Sequence, residues 1–465
     1  MKALRDPQQL LRGGLAAIRT QFQVPHGFPP EVLAAAEIAA RKVPSEHVDR
    51  TGVPFVTLDP ASSTDLDQAF AIEAPGNSGG ADLLLHYAIA DVAWFVSDGD
   101  PLDREAWHRG TTTYLPDGKA GLYPPVLAEG AASLLPDGPR PAVVFTVRVA
   151  PDGAVKLDGA TRALIRSRAK LAYDTVRSDQ LPAGFDELSR RIAAAEEQRG
   201  AARVDPPEQE VEPGPDGHYV LQLRPQLASE RHNAAMSLAT NMAVADALYA
   251  AQTGLFRVMD PPDGRAVERL RHTARAFALK WPGAMPLEQF ERSLDPADPR
   301  HAAFMLAVRR AGNGASYEAY ASGKVPWHAA MAATYAHGTA PLRRLADRYV
   351  VRAALAVANG QAIPAEVAEA FTRLPATMAR AAARDGQIER AVIDLAEAAF
   401  LSGREGEAFD AVVTDIGENG ARIQLCALPV VARTTAHSVQ PGAQIRVRLL
   451  SADTERRLLQ FKRLA

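Results

Sequence analysis

Between Phe55 and Phe70 the chain reads Phe-Val-Thr-Leu-Asp-Pro-Ala-Ser-Ser-Thr-Asp-Leu-Asp-Gln-Ala-Phe, which places three carboxylates, Asp59, Asp65 and Asp67, within nine positions and no Lys or Arg among them. Converging carboxylates repel one another unless a cation neutralises them, and hard oxygen donors of this kind suit Mg²⁺ or Mn²⁺. An acidic loop is equally a solvated turn, and the spacing that an EF-hand requires is absent. Chemistry at this place therefore needs support from elsewhere in the chain.

The elements around the cluster can be read from pattern. Val53, Phe55, Val56 and Leu58 form an apolar run and Pro60 cannot continue a ladder, so a strand is predicted to end at Asp59. Asp65 and Asp67 are two apart and share a face if the backbone is extended, with the small Ala69 and Ala71 at the same parity leaving room in front of it. Leu83 to Val96 predicts a long buried strand followed by a short helix near Leu102–Arg109, and a further strand runs through Val143–Val149. Gly76 to Gly80 reads as a hairpin-like loop, and residues 205–218, rich in Pro and Gly, as an irregular connection. From about 228 to 403 the pattern is helical and alanine-rich.

At the front, Asp6 and Pro7 predict a helix start, with Leu11, Leu15, Ile18 and Phe22 on one stripe, and Gly13 and Gly14 each weaken that helix by roughly 1 kcal/mol relative to Ala. A second helix is predicted to open at Pro29-Pro30 and run to Lys42. The two could form a helix-turn-helix or a docking extension. The last sixty residues change character: Phe409–Ile416, Ala421–Leu425, Val430–Arg433, Ile445–Leu450 and Leu458–Phe461 predict five short strands, the size of a small OB-type barrel.

With 465 residues, 47% hydrophobic and 23% charged, the chain is expected to be globular, with two to four domains. No apolar run is long enough for a membrane helix, the N-terminus lacks a signal-peptide core, and one cysteine, Cys426, excludes an internal disulfide framework and a cysteine-ligated zinc cluster. A cytoplasmic protein is expected. The net charge of −3 does not mark a polyanion binder, but residues 443–465 concentrate Arg446, Arg448, Arg456, Arg457, Lys462 and Arg463, a local patch able to track phosphates.

Five segments then coincide in order: Phe55 to Asp67; Ile89-Ala90-Asp91-Val92; Arg109-Gly110-Thr111-Thr112-Thr113-Tyr114-Leu115-Pro116; Ile165 to Tyr173; and Thr339-Ala340-Pro341-Leu342-Arg343-Arg344-Leu345-Ala346-Asp347. Together they resemble the RNase II catalytic domain of the RNB family over about residues 50–400, and the C-terminal strands resemble the S1 domain that follows it. The resemblance implies an α+β fold: a small N-terminal helical region over residues 1–49, an RNB catalytic domain with a mixed sheet and many helices over 50–404, and a five-stranded S1 barrel over 405–465. Family members commonly carry two cold-shock barrels in front, which fifty helical residues cannot supply; a short form with a reduced RNA grip is the expectation.

The resemblance also implies an activity, processive 3′→5′ hydrolysis of single-stranded RNA to nucleoside 5′-monophosphates, including RNA with a 3′ overhang beside a duplex, by a monomer with two Mg²⁺ (or Mn²⁺) ions. It assigns Asp59, Asp65 and Asp67 to metal, with Asp67 also catalytic. The fourth acidic position is Gln68 here, which offers an oxygen but no charge. Arg343 is assigned to the scissile phosphate, the alternative being a helical ion pair to Asp347, and Arg344, Arg348 and Arg352 read as a solvated stripe. Tyr114 and Tyr173 are assigned to the 3′-terminal nucleotides, with Asn233 standing where the family has a Glu partner for the second tyrosine. His337 reads as positional. A non-catalytic RNA-binding protein on the same fold is the main rival, kept open by Gln68 and Asn233; a DNA nuclease is the weaker third reading, since the family's selectivity rests on the ribose hydroxyl.

Overall fold

The structure, a computed structural model, describes every residue except 1–3, 6–9, 75–80, 202–207, 215–217, 225, 296–297, 313, 418–419, 436–438 and 465. The expected helix start at Asp6-Pro7 and the loop at Gly76–Gly80 lie outside the described residues. The main domain is built on a seven-stranded mixed sheet whose order, edge to edge, is Ser167–Ala172, Phe55–Asp59, Gln68–Glu73, Leu83–Ala90, Arg140–Val149, Val155–Ile165 and Val48–Asp49. Its central strands are β-branched and aromatic and bury nearly every side chain: Phe55, Leu85, Tyr87, Ile89, Phe145 and Val147 are all fully enclosed.

Helices cover the sheet. Ala228–Ala250 packs on Val155–Ile165 and Arg140–Val149, and Leu345–Ala358 packs beside it. The helix Ala365–Leu401 runs past that layer, and its last turns enter the core of the C-terminal barrel through Ala398 and Leu401. That barrel is closed, in the order Ala408–Gly417, Gly420–Leu425, Val431–Thr434, Leu458–Arg463, Gln444–Asp453, as five alternating strands predict. Glu397 ties it to the body, accepting from the Val431 N–H at 2.8 Å and from the Gln209 amide at 2.8 Å.

Several sequence expectations are corrected. The strand from Leu83 ends at Ala90, not Val96, because the Asp91 carboxylate turns inward to Arg162 (3.0 Å) and His47 (3.1 Å), and Val92–Phe95 is a helical turn. Residues 208–213 are not irregular but a strand paired with Tyr219–Arg224, which also pairs with Leu4–Arg5. The N-terminal helices form no helix-turn-helix unit: Leu10–Gln21 lies on the helix Ala365–Leu401, and Pro30–Ala39 lies on Pro101–Arg109. Gly14 has a packing role there, since a Cβ would meet the Leu395 side chain.

Candidate active site

Parallel pairing decides where the first carboxylate meets the second tyrosine. Ser167–Ala172 runs parallel to Phe55–Asp59 with Ala172 opposite Asp59, so both strands reach the same edge with their C-terminal ends. The Tyr173 N–H donates to the Asp59 carbonyl at 3.2 Å, which fixes the tyrosine beside the carboxylate. Its hydroxyl accepts from Asn233 Nδ2 at 2.9 Å, while the same amide donates to the Leu58 carbonyl at 3.2 Å. Asn233, buried on the helix Ala228–Ala250, thus does meet Tyr173, as a neutral partner.

Asp65 and Asp67 are not on an extended strand. Residues 60–67 form an irregular loop, and the next strand begins at Gln68. The loop is held from below: Leu66 is fully buried, its N–H donates to Ser133 Oγ at 2.9 Å, Ser133 Oγ donates to the Thr64 carbonyl at 2.7 Å, and the Asp67 carbonyl accepts from the Ala90 N–H at 2.9 Å. Ala69 and Ala71 face buried surroundings, so they fill core rather than clear space in front of the cluster.

Asp67 is the most enclosed of the three carboxylates, at 5% exposure. Its Oδ1 accepts from the Leu342 N–H at 2.7 Å, and its Oδ2 lies 3.4 Å from Arg343 Nε. Burial pushes this carboxyl up to about 7, against the opposing pull of Arg343 and the Leu342 N–H. Burial also pushes Asp59 up to about 6, with Arg343 lowering and Asp65 raising it further. The Arg343 charge therefore reaches Asp59, Asp67, Tyr114 and Tyr173 together, which makes these residues one neighbourhood.

Arg343 precedes its helix rather than opening it. The helix begins at Leu345, and Arg343 sits in the preceding turn, where its carbonyl accepts from the Thr112 N–H at 3.0 Å. The alternative pairing with Asp347 is closed, because Asp347 binds Arg344 (3.0 and 2.8 Å) and caps the N–H groups of Thr339 and Ala340. The side chain of Arg343 stays 46% exposed, and among the described residues its guanidinium has no partner besides Asp67. Arg344, Arg348 and Arg352 are not a solvated stripe: they pair with Asp347, Asp103 and Asp98, and Arg348 is fully buried. Asp347 is only three residues from Arg344, but Asp103 and Asp98 lie far off in sequence, which spacing along one helix does not show.

Tyr114 is 55% exposed on the hairpin Thr113–Leu115/Gly118–Ala120, with its hydroxyl 3.5 Å from Asp65 Oδ2. The hairpin is anchored by Asp385 of the long helix, which accepts from Thr111 Oγ1 (2.7 Å) and Thr113 Oγ1 (2.8 Å). Lys119, directly opposite Tyr114 in register, places its ammonium 2.8 Å from Asp65 Oδ1 and 3.0 Å from Glu129. Lys119 and Glu129 were not expected here; the signal was the Pro116-Asp117 turn, whose two-residue loop folds Lys119 back beside Tyr114. His337 is half-buried and held by the Tyr317 hydroxyl at 2.7 Å; desolvation lowers its ring well below the ordinary value, so it stays neutral, a positional residue.

The donor set fits a hard cation in part. Asp59 has no hydrogen bond or ion pair to its carboxylate among the described residues, and burial raises both it and Asp67 while the Arg343 charge pulls each back. Gln68 does not join them. Its Oε1 accepts from the Tyr87 hydroxyl and from Ser237 Oγ (3.1 Å), and its Nε2 donates to the Thr339 carbonyl at 2.7 Å. Among the described residues no three His, Cys, Asp or Glu side chains stand close enough together to enclose one ion.

The raised carboxyls carry a testable consequence. Between about pH 4 and about pH 7 the folded chain keeps protons that the unfolded chain has released, so stability without metal falls as pH rises through that window. Mg²⁺ bound by these carboxylates would offset the loss by favouring the ionised forms. The Mg²⁺-induced rise in melting temperature should therefore be larger at about pH 8 than at about pH 5. Equal shifts at the two pH values would show that Asp59 and Asp67 do not hold the ion.

Comparison with known proteins fits this geometry. Residues 48–359 match the RNB domain, and residues 407–464 match the RNase II-type exonuclease C-terminal S1 domain. Ribonuclease R 1 of Lactococcus lactis subsp. lactis (strain IL1403) is 26% identical over 432 residues, covering 86% of this chain and 52% of that protein, so the chain spans about half of that relative's length. Among solved structures, Mycoplasma genitalium RNase R in complex with ribose methylated single-stranded RNA superposes with a TM-score of 0.87 at 19% identity, over 98% of this chain and 78% of that one. The same enzyme in complex with double-stranded RNA gives 0.82. Yeast Ssd1, a pseudonuclease, gives 0.65 at 16% identity, over 94% of this chain and 55% of that one.

Proposed function

Because the chain belongs to the RNB-domain exoribonuclease family, with an S1 domain at its C-terminus, we propose that it is a metal-dependent 3′→5′ exoribonuclease that degrades single-stranded RNA processively to nucleoside 5′-monophosphates. The observation that carries the reading is the convergence of Asp59, Asp67, Arg343, Tyr114 and Tyr173 at one sheet edge, from four separate stretches of sequence. Asp59 and Asp67 would hold Mg²⁺ or Mn²⁺, which would supply positive charge at the scissile phosphate and activate a water.

The chain's own groups do the rest. Arg343, half exposed and tethered only at Nε, offers its remaining N–H groups to the scissile phosphate. Tyr114 presents an exposed ring for stacking on a terminal base, a contact of about 1–3 kcal/mol that tolerates any sequence. Tyr173 is oriented by Asn233 and by its own N–H on Asp59, and bounds the end of the site. Incubation with 5′-labelled poly(A) and Mg²⁺ should give label-bearing strands that shorten from the 3′ end, and EDTA should stop it. RNA that is bound and left intact would instead support a non-catalytic RNA binder, the reading that Gln68 and the likeness to the yeast pseudonuclease keep in view.

The barrel's contribution is electrostatic. Arg446 and Arg448 alternate on the exposed face of one strand, and Lys462 lies directly opposite Arg448 on the next. Like charges in that register cost stability, and none of the three has an acidic partner within bonding distance among the described residues, which fits a surface for phosphates. Replacing all three by Ala should weaken single-stranded RNA binding and reduce the salt slope of log affinity by about 0.7 per lost phosphate contact, about 2 in total. An unchanged slope would remove this face from the RNA path.

A further inference from the structure

The site's four positions that resemble the family's acidic set are used in three different ways, and the division is geometric. Asp59 and Asp67 are both raised by burial, and the Arg343 charge acts on each. Gln68 spends both ends of its amide inside the protein, on Tyr87, Ser237 and Thr339, and brings no charge. Asp65 already has a cation, the Lys119 ammonium at 2.8 Å, shared with Glu129 at 3.0 Å.

We propose that the site is built for a single divalent ion, for which Asp59 and Asp67 are the candidate ligands, and that the Lys119 ammonium takes the place of a second ion at Asp65. The inference rests on the nuclease reading above and refines its metal requirement.

Lys119 is placed for this, not swung there by chance. It is 26% exposed and sits in a hairpin whose register sets it opposite Tyr114. The hairpin tip is clamped in turn: Arg19 of the N-terminal helix binds Asp117 with both oxygens, at 3.0 and 2.8 Å. Burial lowers the Lys119 ammonium, but Asp65 and Glu129 more than offset that and leave it above its ordinary value, charged at neutral pH. The ammonium cancels half of the charge of the two carboxylates and already fills the place between them, so a divalent ion would have to displace it. By contrast, the Asp59 carboxylate has no hydrogen bond or ion pair among the described residues, and Asp67, which accepts from the Leu342 N–H on Oδ1, meets Arg343 only at 3.4 Å on Oδ2. Lys119 is thus a positioning residue: it holds Asp65 and keeps a fixed positive charge on the Tyr114 side of the site, whatever the free metal concentration.

The test counts ions. Electron paramagnetic resonance of Mn²⁺ titrated into the full chain separates bound from free metal without any turnover. The wild type should bind one ion per chain, and Lys119→Arg, which keeps the charge, should also bind one. Lys119→Met, checked for an intact melting transition, should bind two, because Asp65 and Glu129 are then free. Two ions or none on the wild type would overturn the proposal, as would a Lys119→Met protein that folds and still binds one. Cleavage of RNA by the same wild-type sample keeps the two ideas apart. One bound ion with intact RNA counts against the nuclease reading alone; two bound ions with cleavage count against the single-ion site alone.

Discussion

Asp67→Asn is expected to leave the protein folded and able to bind RNA while removing most of its turnover. Asparagine keeps the shape, and its carbonyl oxygen can still accept the Leu342 N–H that Asp67 Oδ1 now takes at 2.7 Å. What it cannot keep is the charge. Burial holds this carboxyl up to about 7, so the substitution removes a costly buried anion, and the metal-free melting temperature should hold or rise. Loss of a strong electrostatic group at the reacting phosphate costs about 10²–10³ in rate, or about 3–4 kcal/mol of transition-state stabilisation. RNA affinity should be kept or tightened, because an anion facing the phosphate has gone. Single-turnover cleavage, RNA affinity and thermal melting of the same sample check each part. Near-wild-type cleavage in a folded Asp67→Asn protein would sink this cluster as the active site.

Arg343→Ala should lower the cleavage step by a similar factor, for the opposite electrostatic reason. The guanidinium is the cation that acts on Asp59, Asp67, Tyr114 and Tyr173 at once, and its exposed N–H groups have no other described partner. The protein should fold normally, since the structural pair to Asp347 belongs to Arg344. If Arg343 binds the phosphate more tightly as charge builds up on it, single-turnover rate at saturating RNA falls more than affinity does, and Arg343→Lys recovers only part of the loss because lysine cannot make the bidentate contact. A fall in affinity with an unchanged saturating rate would make Arg343 a simple binding residue. The two substitutions also differ in sign for metal: Asp67→Asn should weaken Mn²⁺ binding, whereas Arg343→Ala, by removing a competing cation, should strengthen it.

What could be read from the chain, and what could not, follows from how local each feature is. The strand ending at Asp59 and the five barrel strands rest on alternation and on Pro and Gly, all of which act within a few residues. The loop over residues 60–67 is not legible locally, because two carboxylates two apart look like one face of a strand; Leu66 and its bond to Ser133, sixty-seven residues away, impose another path. The arginines after Arg343 looked solvated because their acidic partners, Asp103 and Asp98, come from a distant helix and the loop before it. Resemblance to a family placed Gln68 among the ligands, and only the three-dimensional neighbours Tyr87, Ser237 and Thr339 show that its amide is already committed. Lys119 went unnoticed although a turn signal stood beside it. A lysine in a hairpin is unremarkable until the strand opposite is seen to carry Tyr114 and the loop facing it Asp65.

The central claim is that this edge of the sheet removes nucleotides one at a time from the 3′ end of RNA. One RNA, prepared once with a 5′ label and once with a 3′-terminal label, tests it most directly when each is mixed with the full chain and Mg²⁺ and sampled before the strand is half consumed. The account predicts that the 3′ label appears first and entirely as a nucleoside 5′-monophosphate, while the 5′ label stays on shortening strands, and that EDTA abolishes both changes. Release of the 5′ label first, internal fragments from either strand, or intact RNA under conditions where binding is complete would contradict it.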